Sequence, residues 1–423
     1  METCRIQPDM IQNQRHFKLD CWDFILNLGS LVVCVVDVGL DVYAVVDFYL
    51  EEDYVSLGVL VFLLLGSSVL SQAYSWLWYS NEESETVTKV EGFFDGFCLK
   101  VVHLCQMGVY LRFAGVVEVS TQSFCTGNTI PEERAVFLSH DLNMLRLIET
   151  FSESSPQLVL MLTIIIHRGV LEPITVLKTA GSVAAIAISV TMYHRSLRAF
   201  LPDKTKQTWI SSFVYFLWNL FLIGTRVIAL ALFVSVLPCL FPAHFLSLWI
   251  ILVFFAWRAN TTFMEGSGGE PLFRATLGLI WYFSWFNVSE GRTKWKCLFY
   301  YSFITLDTCV LCCVWYWRIT TEPPYFESSL PPYAVLIGMS ILYSLGILVR
   351  VGYYQLFHPT VTHLTTDEPE SKSDSQLRGI APQEEGDEVD NCLMDRSMQG
   401  PSKPARAKTR MEKLAVNFYS DTT

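Results

Sequence analysis

The stretch VVDVGLDVYAVVDFY, residues 35–49, carries three aspartates inside what is otherwise the apolar core of a membrane-spanning helix. Its other positions are mostly valine, leucine and aromatic residues, which suit a helix surrounded by hydrocarbon. Asp37 and Asp41 are four residues apart and therefore share one helix face, with Asp47 further along. Because an unpaired carboxylate at the bilayer centre costs about 2.5–3.5 kcal/mol on insertion scales, this face is predicted to meet polar groups or water.

The composition of the whole chain is that of a multi-pass membrane protein. Of its 423 residues, 52% are hydrophobic and only 17% are charged, whereas a soluble domain usually carries about 25% charged residues. The long apolar stretches predict an all-α polytopic protein of about eight transmembrane helices and two partial or re-entrant helices. The predicted segments are 24–50, 54–79, 95–118, 138–167, 174–200, 208–236, 244–262, 272–288, 297–319 and 332–357.

The two partial helices are predicted at the third and the eighth segment. The third is rich in charged residues and the eighth is short. Their spacing suggests two pseudo-repeats of five segments each. We therefore expect a cytoplasmic N-terminal segment, two halves of a membrane domain and a regulatory tail, at 1–20, 21–200, 201–360 and 361–423.

The short loops predict the orientation. The loops at 194–207 and 290–296 are basic, whereas those at 51–53 and 320–332 are acidic or neutral. Because basic loops stay on the cytoplasmic side, both termini are predicted to be cytoplasmic. Cys239 then falls near an outer loop, and the cysteines in general are expected to be reduced.

A second polar stripe is predicted in RLIETFSESSPQLVL, residues 146–160. Arg146, Glu149, Glu153 and Gln157 follow steps of three, four and four residues and share one helix face. Arg226 and Asp307 lie near the middle of other apolar segments, and Asp141 precedes the stripe. Two explanations stay open. These charges pair across helices and fix the packing, for example Arg146 with Glu149 and Arg226 with an aspartate of the first helix, or they form a polar track for an ion, a solute or a lipid headgroup.

The residues from about 361 predict a disordered cytoplasmic tail, because they are rich in Asp, Glu, Ser, Pro and Lys and poor in aromatic residues. Asp387, Glu388, Val389 and Asp390, followed by Asn391, match the pattern that executioner caspases cleave, after Asp390. The alternative explanation is an ordinary acidic, solvated run. Cleavage there would release residues 391–423, which hold six basic and three acidic residues and a basic segment of helical spacing.

Enzymatic chemistry has little support in the sequence. GxSxG, HExxH, P-loop and dinucleotide-binding patterns are absent. No basic stripe with interleaved aromatic residues predicts nucleic-acid binding. We therefore expect neither a cofactor nor a metal, and no enzymatic activity.

Five motifs make the chain similar to the XK-related family, the relatives of the Kell blood group membrane protein. The resemblance extends over about 20–357, and together with the tail it points to the branch of caspase-activated phospholipid scramblases. The motifs are DVGLDVY in the first segment, LSHDLNMLRLIETFSESSPQLVL at 138–160, YHRSLRAFLP at 193–202, YFSWFNVSEGRT at 282–293 and RVGYYQLFHP at 350–359.

The resemblance implies ATP-independent, bidirectional movement of membrane phospholipids after caspase cleavage, so that phosphatidylserine is exposed outside an apoptotic cell. It also implies a plasma-membrane location and a single-pass immunoglobulin-type glycoprotein partner, of the basigin or neuroplastin kind. The family usually has an acidic residue before its YHR motif, where this chain has Met192. We expect the headgroup path to include Asp37, Asp41, Asp141, Arg146, Glu149, Glu153, Arg195 and Arg226, of which all but Arg146 match charged positions of the family.

Other functions remain open at this point. A solute transporter or channel would share the buried charges and the possible half-repeat. A membrane scaffold that stabilises a glycoprotein subunit would use the same charges for assembly alone. An enzyme acting on lipids has no support at the residue level.

Overall fold

The computed structural model describes most of the membrane domain. The N-terminal segment 1–20 and everything after residue 357 lie outside the described residues, and so does the predicted caspase site at 387–391. The described residues are 21–81, 88–94, 96–126, 129–169, 173–199, 207–259, 261, 263–264, 268–288, 293–322 and 331–357.

Every regular element in these ranges is a helix, which confirms the prediction of an all-α protein. The helix ends lie within a few residues of most of the predicted apolar segments. The helices are α1 Cys21–Leu50, α2 Tyr54–Asn81, α3 Lys89–Gly92, α4 Gly96–Leu104, α5 Gly108–Thr126, α6 Thr129–Glu149, α7 Ser155–Arg168, α8 Pro173–Ala199, α9 Trp209–Val236, α10 Phe241–Arg258, α11 Gly269–Phe283, α12 Thr293–Thr321 and α13 Pro332–Leu356.

Five stretches in the described part of the chain are long and apolar enough to cross a membrane. They are Tyr54–Tyr79, Trp209–Val236, Pro238–Arg258, Trp295–Thr321 and Pro332–Leu356. Many of their large apolar side chains face outward, as in Phe62, which is 74% exposed. Such a surface suits contact with lipid tails and would be costly in water. These helices are therefore consistent with a multi-pass membrane protein.

The third predicted segment is broken into two helices. α4 ends at Leu104 and α5 begins at Gly108, and Gln106 between them has a positive φ of 64°. The Gln72 side chain of α2 closes this break, because its amide nitrogen donates to the Gln106 carbonyl at 3.0 Å and its oxygen accepts from the Gly108 amide at 3.1 Å. α4 and α5 pack against each other and both against α2. The segment is thus a helical hairpin whose tip is satisfied by α2.

The eighth predicted segment contains the short helix α11. Its 15 residues span about 22 Å, which is less than the hydrocarbon thickness of about 30 Å. The helix ends at Phe283, and Ser284 continues in extended backbone with φ −148° and ψ 148°. Both Phe283 and the preceding Tyr282 are buried. The chain therefore ends a helix inside the protein, where its last carbonyls need partners other than water.

The helix α9 is the centre of the second half. It packs against α7, α8, α12 and α13. Gly346 of α13 allows a close approach, because a Cβ added there would lie 2.8 Å from Leu222 Cδ2. In the same way, a Cβ on Gly278 of α11 would lie 2.6 Å from Val253 of α10. The two glycines let the helix pairs approach more closely than larger residues allow.

The helix α6 continues through a π-helical turn, Thr150–Ser154, into α7. The Ser155 amide donates to the Thr150 carbonyl, which is the five-residue spacing of a π-helix. Pro156 explains this turn, because it has no amide to donate and its ring would clash with the carbonyl four residues earlier in a regular helix. The polar stripe predicted at 146–160 therefore lies on two α-helices joined by a wider turn.

Several helix connections lie on one face of the protein. Glu51, between α1 and α2, hydrogen-bonds to Arg168 at the end of α7. The His167 ring lies 2.8 Å from the Ser235 carbonyl near the end of α9. Asp53 starts α2 on the same side by accepting the Ser56 amide at 3.1 Å, and hydrogen bonds from Ser56 lower the pKa of Asp53. The C-terminal ends of α1, α7 and α9 therefore share one side.

Candidate functional site

Four carboxylates and one guanidinium meet where α1 packs near the junction of α6 and α7. Arg146 binds Glu149 at 2.9 Å and lies 4.0 Å from Asp37 of α1. The pair of Arg146 and Glu149 suggested by the sequence is therefore present, but it lies within one helix and leaves open both explanations of the buried charges. We call the following group the carboxylate cluster: Asp37, Asp41, Arg146, Glu149 and Glu153.

The π-helical turn positions Glu153 of the carboxylate cluster beside Asp41. Gln157 of α7 donates to Asp41 at 2.8 Å. Glu153 in the turn interacts with Asp41 and with the Ser67 hydroxyl of α2. The turn itself is held from both sides by hydroxyl groups, because Ser152 lies 2.9 Å from Ser67 and Thr150 lies 2.8 Å from Ser189 of α8.

The carboxylate cluster is open on the side of Asp37. The Asp37 side chain is 47% exposed, whereas that of Arg146 is only 13% exposed. The side chains of Asp41, Glu149 and Glu153 are partly buried. A small polar group arriving beside α1 would therefore meet Asp37 first and reach Arg146 behind it. With four carboxylates to one guanidinium, the cluster can offer acceptors to a cationic group and a donor to an anionic group at once.

A second polar network joins α9, α10, α11 and α12. Arg226 of α9 binds Asp307 of α12 at 2.6 Å, and the imidazole of His244 lies 3.1 Å from the same carboxylate. The other ring nitrogen of His244 lies 3.1 Å from the Tyr282 hydroxyl of α11. Arg226 also donates to the Tyr282 carbonyl at 3.2 Å and to the Thr308 hydroxyl at 3.0 Å.

The expectation that Arg226 meets an aspartate of the first helix is wrong. Its partner is Asp307, because α12 rather than α1 packs against α9 at this level. Arg226 therefore does not share the carboxylate cluster with Glu149. Hydropathy patterns cannot reveal such a pairing, since Asp37, Asp41 and Asp307 are all acids in otherwise apolar helices.

Asp141 lies in a third polar group, beside the first turns of α5. It is 3.8 Å from Arg112 of α5, and both side chains are almost completely buried. Arg112 also donates to the Ser75 hydroxyl at 3.0 Å and to the Ser75 carbonyl at 3.1 Å. Its guanidinium lies over the Tyr79 ring, 3.9 Å from the centroid. Charge and aromatic contacts together fix the hairpin against α2 and α6.

Arg195 is the last of the predicted site residues. It lies near the end of α8, and its guanidinium is 4.7 Å from the centroid of the Trp209 ring at the start of α9. Met192, one turn earlier, is partly buried. The cation–π contact joins two consecutive helices across their connection.

The structure thus brings five of the eight predicted path residues together and leaves three elsewhere. Asp141, Arg195 and Arg226 each belong to a different neighbourhood. Sequence reasoning missed Gln72, His244 and Tyr282, which make polar contacts within the membrane domain. A lone glutamine or histidine in an apolar helix was the available signal, because such a side chain needs a partner there.

The described residues contain no group of three or more His, Cys, Asp or Glu side chains that could hold a metal ion. The side chains of the carboxylate cluster have the charges and hydrogen-bonding groups needed to bind a polar ligand reversibly.

The chain is similar to known proteins over most of its length. Residues 25–359 match the family described as XK-related protein. The chain is 39% identical to XK-related protein 8 of Tetraodon nigroviridis over 95% of this chain and 97% of the relative. It is 37% identical to XK-related protein 8 of Gasterosteus aculeatus, over 94% and 97%. It is 34% identical to XK-related protein 8 of Pan troglodytes, over 80% and 84%.

Proposed function

Since this chain belongs to the XK-related family, we propose that it is a phospholipid scramblase that becomes active when a caspase cleaves its tail after Asp390. The observation that supports the lipid-moving activity best is the carboxylate cluster, which carries charges of both signs and opens beside α1. Lipid headgroups would pass along it while their acyl chains stay in the bilayer. The movement follows the lipid gradient in both directions and needs no ATP.

The mixed charge of the carboxylate cluster suits a headgroup that is itself of mixed charge. Arg146 would bind the phosphate, because a guanidinium is a strong donor to phosphate oxygens. Asp37, Asp41 and Glu153 would bind the ammonium or choline group. Phosphatidylserine, phosphatidylethanolamine and phosphatidylcholine all carry both kinds of charge. Asp141, Arg195 and Arg226 extend this path in the proposal, or hold its walls in place.

In this proposal, the tail inhibits lipid movement until it is cleaved. Residues 391–423 are basic and contain Met411, Leu414, Ala415 and Phe418 at helical spacing, so the segment can bind the anionic inner leaflet or cover the path from below. Cleavage after Asp390 would release it. Deleting residues 391–423 should then activate transport without caspase, whereas Asp390→Ala should prevent activation by caspase.

The proposal includes a plasma-membrane location with both termini cytoplasmic, eight crossing segments and two re-entrant ones. The broken third segment and the short α11 support the re-entrant elements. A single-pass immunoglobulin-type glycoprotein is proposed as the partner for delivery to the surface.

The decisive experiment places the purified full chain, with its partner, in liposomes that carry fluorescent phospholipid. A membrane-impermeant reductant added outside bleaches only label in the outer leaflet. The chain cut by caspase should let bleaching continue beyond the outer-leaflet half, and uncut chain should not. The matched control is Asp390→Ala treated with the same caspase. No lipid movement by cut chain, with the cut and the partner verified, would contradict the proposal.

A solute transporter or channel is the second candidate, because four carboxylates around one guanidinium would also attract a small cation. It predicts uptake or current in the same liposomes without bleaching of inner-leaflet lipid. Asp41→Asn should then lower that flux. In the scramblase proposal, the same substitution slows lipid movement instead.

A further inference from the structure

The helix α11 ends inside the protein, and its final carbonyls are satisfied by side chains of two neighbouring helices. The Ile280 carbonyl accepts from the Ser284 amide at 2.8 Å. The Trp281 carbonyl accepts from the Tyr300 hydroxyl of α12 at 2.6 Å, and the Tyr282 carbonyl accepts from Arg226 at 3.2 Å. Carbonyls at a helix end need such partners where water is absent.

Arg226 suits this position electrically as well. The C-terminus of a helix carries a partial negative charge, which a buried guanidinium stabilises. Asp307 in turn neutralises Arg226, and His244 contacts both Asp307 and the Tyr282 side chain. This polar network therefore holds the end of α11 at Tyr282, through the Tyr282 carbonyl and through the Tyr282 hydroxyl.

The next residue of α11 contacts the π-helical turn. The Phe283 ring stacks on the Phe151 ring, with centroids 6.1 Å apart and an angle of 27° between the planes. Both rings are buried. Phe151 lies in the turn itself, between Glu149 and Glu153, so the end of α11 bears directly on the backbone that carries two acids of the carboxylate cluster.

We propose that Phe283 is a positioning residue of the carboxylate cluster: the capped end of α11 holds the Phe283 ring against Phe151 and so keeps the π-helical turn in the form that points Glu153 at Asp41. The inference rests on the proposed function for its consequence in lipid transport. It explains why the chain ends a helix at this depth, since the second half of the protein thereby sets the geometry of a cluster built by the first half.

The π-helical turn is expected to need a stabilising contact such as that of Phe283 with Phe151. A π-turn is less favourable than regular α-helix and is seen mostly as a single turn at functional sites. Pro156 prevents the regular hydrogen bond on one side, and the hydroxyl contacts of Ser67 and Ser189 hold the turn from two directions. Phe283 supplies an apolar contact from a third element. Without it, Glu153 is free to leave Asp41 while the rest of the helix remains.

The first test measures the turn without reference to transport. Hydrogen–deuterium exchange of the amides at 150–155 is followed in the full chain and in Phe283→Ala, Phe283→Leu and Phe273→Ala. Phe273 is the matched control, because it is also buried, packs against Phe263 with the ring centroids 4.5 Å apart and the planes tilted by 36°, and lies near the other end of α11. We expect about tenfold faster exchange in Phe283→Ala, from the energy of a buried aromatic pair, and no change at 150–155 in Phe273→Ala.

The second test measures lipid movement in liposomes by caspase-cut chain. We expect Phe283→Ala to slow it about tenfold, Phe283→Leu to restore most of the rate, and Phe273→Ala to stay near the unsubstituted rate. Combining Phe283→Ala with Glu153→Gln should be no slower than the slower single variant, because both changes affect one unit.

Three results would overturn the inference. The first is unchanged exchange at 150–155 in Phe283→Ala, which decides the matter even if the chain moves no lipid and the proposed function fails. The second is a double variant whose slowing is the product of the two single effects, which would mean that Phe283 and Glu153 act independently. Exchange that rises equally in Phe273→Ala would show general loosening of α11 and would also contradict it.

Discussion

Single polar side chains decide how this membrane domain holds together. Arg226 is almost completely buried, and its guanidinium has three polar partners: the Asp307 carboxylate, the Thr308 hydroxyl and the Tyr282 carbonyl. Gln72 has the same role at the α4–α5 hairpin, where one amide group satisfies a carbonyl and an amide of the backbone. In both cases a spanning helix supplies the hydrogen bonds that water cannot.

Replacing either Arg226 or Asp307 should therefore lower the stability of the fold, but by different amounts. Arg226→Gln leaves Asp307 without its guanidinium and uncaps α11, so we expect the folded state to lose about 3–5 kcal/mol. Asp307→Asn keeps the bonds of Arg226 to Tyr282 and Thr308 and should cost less. Thermal unfolding in detergent measures both. Equal losses would mean that the carbonyl contact of Arg226 contributes nothing.

Gly108, which follows the break between α4 and α5, has no room for a side chain. A Cβ on Gly108 would lie 2.4 Å from His103 Cδ2 and 2.6 Å from the Gln72 oxygen. Gly108→Ala should lower stability by about 1–3 kcal/mol, the usual cost of overpacking. Gly66→Ala is the control, since nothing lies within 4 Å of a Cβ there. A Gly108→Ala protein as stable as the control would show that the tip adapts without strain.

At the scale of elements, the long helical rod of α6, the π-helical turn and α7 organises the candidate site. The turn shifts the register between the two helices, so Gln157 and Glu153 reach Asp41 while Glu149 stays with Arg146. The simple spacing of three, four and four residues predicted one stripe. It did not predict the wider turn, because a π-turn depends on Pro156 and on contacts from α2, α8 and α11 together.

Replacing the proline tests this element. Pro156→Ala restores an amide at position 156, so the turn can relax to regular α-helix and rotate α7 relative to α6. We expect the unfolding temperature to stay equal or rise, while lipid movement slows several-fold. Pro332→Ala is the matched control, because a proline at a helix start loses no hydrogen bond. Unchanged transport in Pro156→Ala would show that the π form is not needed.

At the scale of the whole molecule, the helix ends define a side that we assign to the exterior. Glu51 and Arg168 meet there, and Cys239 lies exposed in the 3-10 turn Pro238–Leu240 between α9 and α10. The basic loops belong to the opposite ends of these helices. The assignment agrees with the charge distribution in the loops and would make the Cys239 thiol accessible from outside.

A membrane-impermeant maleimide should therefore label intact cells at Cys239. The expected result is one labelled site, which disappears in Cys239→Ser. The exposed Cys98, Cys105, Cys309 and Cys313 lie on helices or beside them and should stay unlabelled in intact cells, because in the proposed topology lipid or the membrane itself separates them from the reagent. Labelling that persists in Cys239→Ser would reverse or revise the proposed orientation.

The sequence by itself determined the elements. Apolar runs of sufficient length form helices in lipid because no other conformation satisfies their backbone there, and the runs at 208–236 and 332–357 became α9 and α13 almost residue for residue. It also determined which residues are costly to bury, so Asp37, Asp41, Glu149 and Glu153 were recognised before any contact was known. Local spacing sufficed for Arg146 and Glu149, which are three residues apart.

Only the tertiary structure decided the partners across helices. Arg226 pairs with Asp307 and not with the first helix, because the packing of α9 against α12 brings those two side chains within 2.6 Å. The stacking of Phe283 on Phe151 joins residues of two different halves of the chain. Charge and ring contacts act over a few ångströms, so they are fixed by which helices are neighbours, and the order of residues along one chain does not contain that information in readable form.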